Sequence, residues 1–489
     1  MCMANSMAKK NNLMRRGQIE HAAALANRIQ CLIIKRNSSH LKHIDASDGC
    51  QALWEQVRLV TGKVGRPPVP QGVTATTLND HYASISSDPQ FEPALLKSTA
   101  LQESASFTVS EQTIFYKLDH LKATATGPDG LPSWFLRLSA PFLAQPIAEL
   151  FNLSIHNSFI PHQWKLSTIL PIPKISQPLA VSDYHPISLT SIISRILERT
   201  IVSTFLYPLF HNPPHPLTLS DQFAFRPSGS TTASIMTLLQ TVTDLLCTHP
   251  YVRVIALDFS KAFDSLRHTS VLENLSVMTP PDNVYNWVAK FLTDRSHSTR
   301  FQGEESTQRQ ITASVVQGSA VGPAAFIIAA SDLRPLTPGN AINKFADDTY
   351  LIIPSNQIHT TPAELSHIEQ WSTSNNLKLN KAKSVEILFR KTNSRAQLPP
   401  TIPSIQRAES ITMLGITISS TLSISSHVDF LTSSCSQSLH ALRILRTHAL
   451  SDPLLHSVFR SKILSKIQYC SPAWRGYAKV EDINYDKQT

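Results

Sequence analysis

The stretch NKFADDTYLII (343–353) sets two adjacent carboxylates, Asp347 and Asp348, between two short runs rich in β-forming residues. AINKF (341–345) before the pair and TYLII (349–353) after it each predict a strand, so the acidic pair falls at the tip of a tight hairpin. Two like charges at such a tip repel each other, and a divalent cation is the obvious counter-charge. Asp is also a favoured turn residue, so this pair alone leaves an ordinary polar turn open.

Upstream, VRVIALDFSKAFD (252–264) predicts a buried strand running into Asp258, after which SKAF turns the chain toward a helix. An Asp there could equally be a helix cap. If the hairpin pairs beside this strand, Asp258 and Asp347 face one another. Three carboxylates could then hold two hard cations, an arrangement suited to in-line phosphoryl transfer. Further β-like runs lie at STILPIP (167–173), SVEILF (384–389) and ITMLGITI (411–418), separated by long helical patterns. Strands mixed with helices, two of the strands in a hairpin, predict an α+β fold. From Leu422 onward the pattern is helical, strongest at LHALRIL (439–445) and LLHSVFRSKILSKI (454–467).

The chain has 489 residues, 42% of them hydrophobic, and a formal charge of +9. This excludes disordered and collagen-like classes. Residues 1–70 hold eleven Lys/Arg and four Asp/Glu, so most of the positive charge lies there. Such a segment is either a solvated face or an arm that contacts phosphates. Six scattered cysteines without CxxC spacing suggest neither a disulfide scaffold nor a zinc site. No run approaches a membrane span, and HAAALANRIQCLII (21–34) is broken by Arg28, which makes a poor signal-peptide core. The expectation is an intracellular chain, in nucleus or cytoplasm or both, not secreted. GKVGRPPVPQG (62–72) predicts a linker. The expected organisation is a basic helical extension over 1–72, a Ser/Thr-rich flexible linker over 73–110, a central domain over 111–420 and helices over 421–489.

The order of LDFSKAFD (257–264), QGSAVGP (317–323) and FADD (345–348) resembles the palm of a reverse transcriptase, and more narrowly that of the non-LTR, LINE-type, jockey-like retrotransposon polymerases. TGPDGLPSWFLR (126–137), PIPK (171–174), DYHPISLTSIISRILER (183–199) and DQFAFRPSGSTTASI (221–235) are similar to the family's fingers blocks. WSTSNNLKLNKAKS (371–384) and MLG (413–415) are similar to its later palm blocks. The resemblance implies a right-hand polymerase fold: fingers, a palm whose antiparallel sheet carries the metal-binding aspartates, and part of a helical thumb over 421–489. It implies an RNA-directed DNA polymerase that extends a DNA primer on an RNA template with dNTPs, using two Mg²⁺ ions, with Mn²⁺ as an alternative. Asp258, Asp347 and Asp348 match the metal triad, with Asp348 more peripheral. Lys174, His185, Phe259, Phe263, Gln317 and Gly318 match the nucleotide-binding set. Within it, Phe263 is the ring that excludes a 2′-hydroxyl. Lys383 matches the lysine near the leaving pyrophosphate, and Leu414 and Gly415 the primer-holding hairpin.

Two departures stand out. The family commonly has arginine where this sequence has His185, and histidine lacks both the fixed charge and the bidentate fork. Phe345 replaces a common tyrosine without touching the carboxylates. Family members carry an upstream endonuclease and a longer thumb, so the chain is expected to be a polymerase core from a larger element. A protein that only binds nucleic acid, and an RNA-templated RNA polymerase, remain the alternatives.

Overall fold

YVRVIAL (251–257) is apolar but for Arg253 and carries three β-branched residues, a pattern suited to a strand covered on both faces. The computed structural model describes residues 3–41, 72–98, 107–392 and 396–479, and places this strand at the centre of a sheet. The chain divides into two compact units, one of residues 67–422 and one of residues 1–66 with 423–489.

The larger unit begins with β1 (Leu166–Pro173), β2 (Tyr184–Leu189), β3 (Tyr251–Leu257), β4 (Arg295–Phe301), β5 (Glu304–Glu305) and β6 (Arg309–Ile311). It continues with β7 (Ala341–Phe345), β8 (Asp348–Pro354), β9 (Val385–Arg390), β10 (Gln406–Ala408), β11 (Ser410–Met413) and β12 (Ile416–Ser419). One sheet has the order β10-β9-β3-β8-β7, another has β2-β1-β4-β5 with β6 beside β4, and β11 and β12 form a separate hairpin. In the first sheet β8 is antiparallel to both β3 and β7, so the two β-runs flanking the acidic pair form a hairpin beside the strand that ends at Asp258. Behind it, buried Glu386 on β9 forms an ion pair with Arg253 on β3 at 2.7 Å and accepts from Arg407 on β10 at 2.9 Å, which ties three strands together. Removing one partner of such a buried set leaves an uncompensated charge at a cost of about 3–5 kcal/mol.

Two early segments of the unit matter for the site. The helix Ala75–Ile85 is capped by Thr74, whose side chain accepts from the Thr77 amide at 3.1 Å, and it buries Leu78 and Tyr82. This corrects the expected flexible linker over 73–110 in its first part. The helix is fixed by a buried amide, since Asn79 donates to Thr307 O at 2.9 Å and its Oδ1 accepts from Thr299 Oγ1 at 2.9 Å. Further on, Gly130 (φ +71) closes the GPDG turn over Gly127, and a Cβ on Gly127 would sit 2.6 Å from Thr190 O. Glycine is demanded there by close approach to the strand–helix corner after β2.

The smaller unit is helical in its described parts: Met3–Arg15, Ile19–Leu41, Ser425–Thr447 and Asp452–Phe459. The predicted linker at 62–72 lies almost wholly outside the described residues. Among the described residues no helix is long and apolar enough to cross a membrane.

Candidate active site

The hairpin register pairs Phe345 with Asp348 and leaves Ala346 and Asp347 as the turn. Ala346 sits at φ +57, a left-handed conformation uncommon for a residue with a Cβ. What holds it there is Gln222, which is fully buried. The Gln222 Oε1 accepts from the amides of Ala346 (3.0 Å) and Ala224 (3.0 Å), and its Nε2 donates to Ala346 O at 3.4 Å. Below the turn, buried Lys344 donates from Nζ to Ala330 O (2.8 Å) and Leu333 O (3.0 Å), with Asp221 3.2 Å away.

Asp258 is positioned from two sides. The β3–β8 register ends at Leu257 and Thr349, and one step further it sets Asp258 beside Asp348. The loop before β9 then clamps its backbone: Asp258 N donates to Ser384 Oγ at 3.2 Å and Asp258 O accepts from Asn380 N at 2.8 Å. The same loop carries Lys383, whose amide donates to Asn380 Oδ1 at 3.2 Å.

Two cavities meet at these carboxylates. One of about 390 Å³ is lined by Asp258, Asp347, Lys174, His185, Phe263 and Gln317, among others. A second, of about 300 Å³, is lined by Asp258, Asp348, Lys383 and the β11 residues Ser410 to Thr412. Asp258 and Lys383 line both. Leu414 (φ +47) and Gly415 (φ +85) form the two-residue turn of the β11–β12 hairpin, both with positive φ as such a turn requires. They do not line either cavity; their strand does.

In the first cavity the Phe263 ring is half-buried, stacked on Phe326 with centroids 4.6 Å apart and edge-on to Phe225 at 6.2 Å. Gly318 (φ +107) passes so close to β2 that a Cβ would lie 2.5 Å from Ser188 O. Gln317 donates from Nε2 to Asp264 Oδ1 at 2.8 Å. Lys174 donates from Nζ to Ser182 O at 2.9 Å, and His185 on β2 lines the same cavity. Phe259 departs from the others: it is buried, with its ring packed edge-on against Trp371, although the residue also lines the first cavity.

Several residues at the site lie inside the quoted motifs without a role assigned from the sequence. Gln222 and Lys344 are polar residues with no period to mark them. Asp264 is another: burial pushes its carboxyl up to about 6, while the Gln317 amide and then Lys261 act in the opposite sense. The Ala75–Ile85 helix supplies His81 and Tyr82 to the cavity wall, His81 Nε2 lying 3.2 Å from Lys261 Nζ.

Burial, followed by the Asp347 and Asp258 charges, pushes Asp348 up to about 6. Asp347 is likewise raised, first by burial and further by Asp258. None of the three carboxylates has a cationic partner within 4 Å among the described residues, so no direct ion pair balances them. Hard oxygen donors with raised pKa values fit a divalent cation. Among the described residues no group of three His, Cys, Asp or Glu side chains is placed to hold a metal ion, so the three aspartates are not preassembled around one.

His185 is held below its ordinary value by burial and then by Lys174, so it is neutral at pH 7.

Carboxylates at the end of a central strand and on the turn of the neighbouring hairpin, beside a cavity walled by a second sheet, define a palm-type polymerase domain in the right-hand fold. A family profile described as "Reverse transcriptase (RNA-dependent DNA polymerase)" matches residues 172–418, just over half of the chain, and the chain belongs to that family. Among curated relatives, the RNA-directed DNA polymerase from mobile element jockey of Drosophila melanogaster is 27% identical over 317 residues, covering 62% of this chain and 34% of that protein. The probable RNA-directed DNA polymerase from transposon BS of the same organism is 27% identical over 314 residues, covering 61% and 34%. The resemblance read from the motifs is borne out at this level. The chain spans about a third of the length of these relatives. Among solved structures, telomerase from Candida Tropicalis in complex with a fragment of telomeric RNA aligns at TM-score 0.41 and 13% identity, covering 68% of this chain and 56% of that one.

Proposed function

We propose that the chain is an RNA-directed DNA polymerase that adds dNTPs to a DNA 3′-hydroxyl on an RNA template. The observation that carries this reading is the shared wall: Asp258 lines a nucleotide-sized cavity with Asp347 on one side and a second cavity with Asp348 on the other. A substrate on each side would present its reacting atoms to the same carboxylates. Asp258, Asp347 and Asp348 would hold the metal. Two Mg²⁺ ions bound there, or Mn²⁺, would activate the 3′-hydroxyl and balance charge on the leaving pyrophosphate.

The chain's own residues do the rest. Lys174 and His185 face the triphosphate, the first by charge and the second as a neutral hydrogen-bonding group. Phe263 fills the space beneath the sugar, and the Gln317–Gly318 backbone lies against the nucleotide. Lys383 stands where it can give a proton to the leaving group. The β11–β12 hairpin with Leu414 and Gly415 steadies the primer end. On this reading residues 111–420 are fingers and palm, the helices over 421–489 belong to a thumb, and the basic 1–72 segment adds salt-dependent affinity for nucleic acid.

Primer extension on a poly(rA)–oligo(dT) substrate tests the reading, with Mg²⁺ and separately with Mn²⁺. Incorporation of dTTP is expected. Salt-dependent binding of the same substrate with no incorporation under either metal would replace this reading with a protein that only binds nucleic acid.

A further inference from the structure

Away from the carboxylates, the larger unit holds a cavity of about 370 Å³ whose charged lining is entirely basic. Arg195 and Arg199 come from the helix Ile192–Ile201, Lys117 from the last turn of the helix Glu111–Asp119, and Lys122 from the loop that follows, with His120 between them. Among the described residues none of these four cations has a carboxylate within 4 Å. The acids nearby are already engaged. Glu198 accepts from Ser194 Oγ at 2.8 Å and from the Ala320 amide at 2.7 Å, Asp129 accepts from Leu131 N at 3.2 Å, and Asp119 lies 3.5 Å from His120. Burial and then Arg199 lower both Arg195 and Lys117; at Arg195 the Glu198 and Asp129 charges act more weakly in the opposite sense.

Like charges four apart on one helix face repel, so Arg195 and Arg199 together favour an anion. Leu121, Ile192 and Ile196 give the cavity an apolar floor, and apart from His120 no ring lines it on which a base could stack. That chemistry suits phosphates and is blind to bases. The same helix holds, through Glu198, the Ala320 amide, three residues beyond the Gln317 that lines the first cavity.

We propose that this cavity takes backbone phosphates of a nucleic-acid strand, and so anchors the template or hybrid on the fingers side of the polymerase. The proposal rests on the polymerase reading for the strand's role, but it is tested by binding alone. Affinity for a short labelled RNA is measured by fluorescence anisotropy across about 50–200 mM salt. Arg195→Gln/Arg199→Gln should weaken binding about tenfold and lower the log–log salt slope by about 1.4, the effect of two lost single-strand phosphate contacts. Arg195→Lys/Arg199→Lys should recover most of the slope. Lys117→Gln/Lys122→Gln, on the opposite wall, should act like the arginine pair and guards against misfolding of that helix. Wild-type slope and affinity in both glutamine variants would overturn the proposal. So would a melting temperature raised by tripolyphosphate in wild type alone with the RNA slope unchanged, because the cavity would then serve free polyphosphate. Absence of primer extension in the wild type would overturn the polymerase reading and leave this binding result standing.

Discussion

Asp347→Asn is expected to reduce primer extension by at least roughly 10³-fold, the scale of losing an essential charge at the reacting centre. The substitution keeps the volume of the side chain and the turn held by Gln222, so lost activity reports lost charge, not a displaced hairpin. It should also act oppositely on stability when divalent metal is removed. Asp347 and Asp348 have folded-state pKa values raised above their ordinary ones. A carboxyl raised in this way favours folding below its unfolded pKa, and that contribution is lost as pH rises through the folded value. For Asp348 the window runs from 3.8 to about 6. In EDTA the wild type should therefore melt lower at neutral pH than in mild acid. Asp347→Asn should narrow the gap by removing one of the repelling charges. A variant that polymerises at the wild-type rate would remove Asp347 from the reaction.

Phe263→Ala is expected to cut the preference for dTTP over UTP by about 100-fold, measured as the ratio of their kcat/KM values. The ring is braced by Phe326 at 4.6 Å and Phe225 at 6.2 Å, so it cannot swing away to admit a 2′-hydroxyl. The same bracing means that truncation costs stability, about 3 kcal/mol for a large aromatic leaving a cavity. Phe263→Leu keeps more of the packing while shortening the reach, and should relax selectivity less. An undiminished preference in both variants would dismiss the ring as a gate.

The acidic hairpin and its partner strand were legible because apolar β-runs bracket the aspartates on both sides. The helix Ala75–Ile85 was not. Its sequence, ATTLNDHYASI, is polar and poor in strong helix formers, and tertiary contacts through Leu78, Asn79 and Tyr82 decide its state. β4 is hidden for a similar reason. RSHSTRF (295–301) looks like surface, yet Arg295 is buried, donating to Phe291 O at 3.1 Å and Trp164 O at 3.3 Å while lying 4.5 Å over the Phe291 ring. Phe259 is the reverse case: the family resemblance puts it in the nucleotide-binding set, but its ring packs against Trp371 in the core. Gln222 could not be inferred from spacing at all, because two of its three side-chain hydrogen bonds reach Ala346, 124 positions away.

On the proposed polymerase reading, the wall shared by the two cavities has a pharmacological consequence. A chelating inhibitor entering from the Phe263 side would meet Asp347 and Gln317, and its potency would fall as dNTP rises. One entering from the β11 side would meet Asp348 and Lys383, and would compete with the primer terminus instead. Both would need Asp258, so the two kinds of compound could not occupy one molecule together, and a resistance change at Phe263 would spare the second kind.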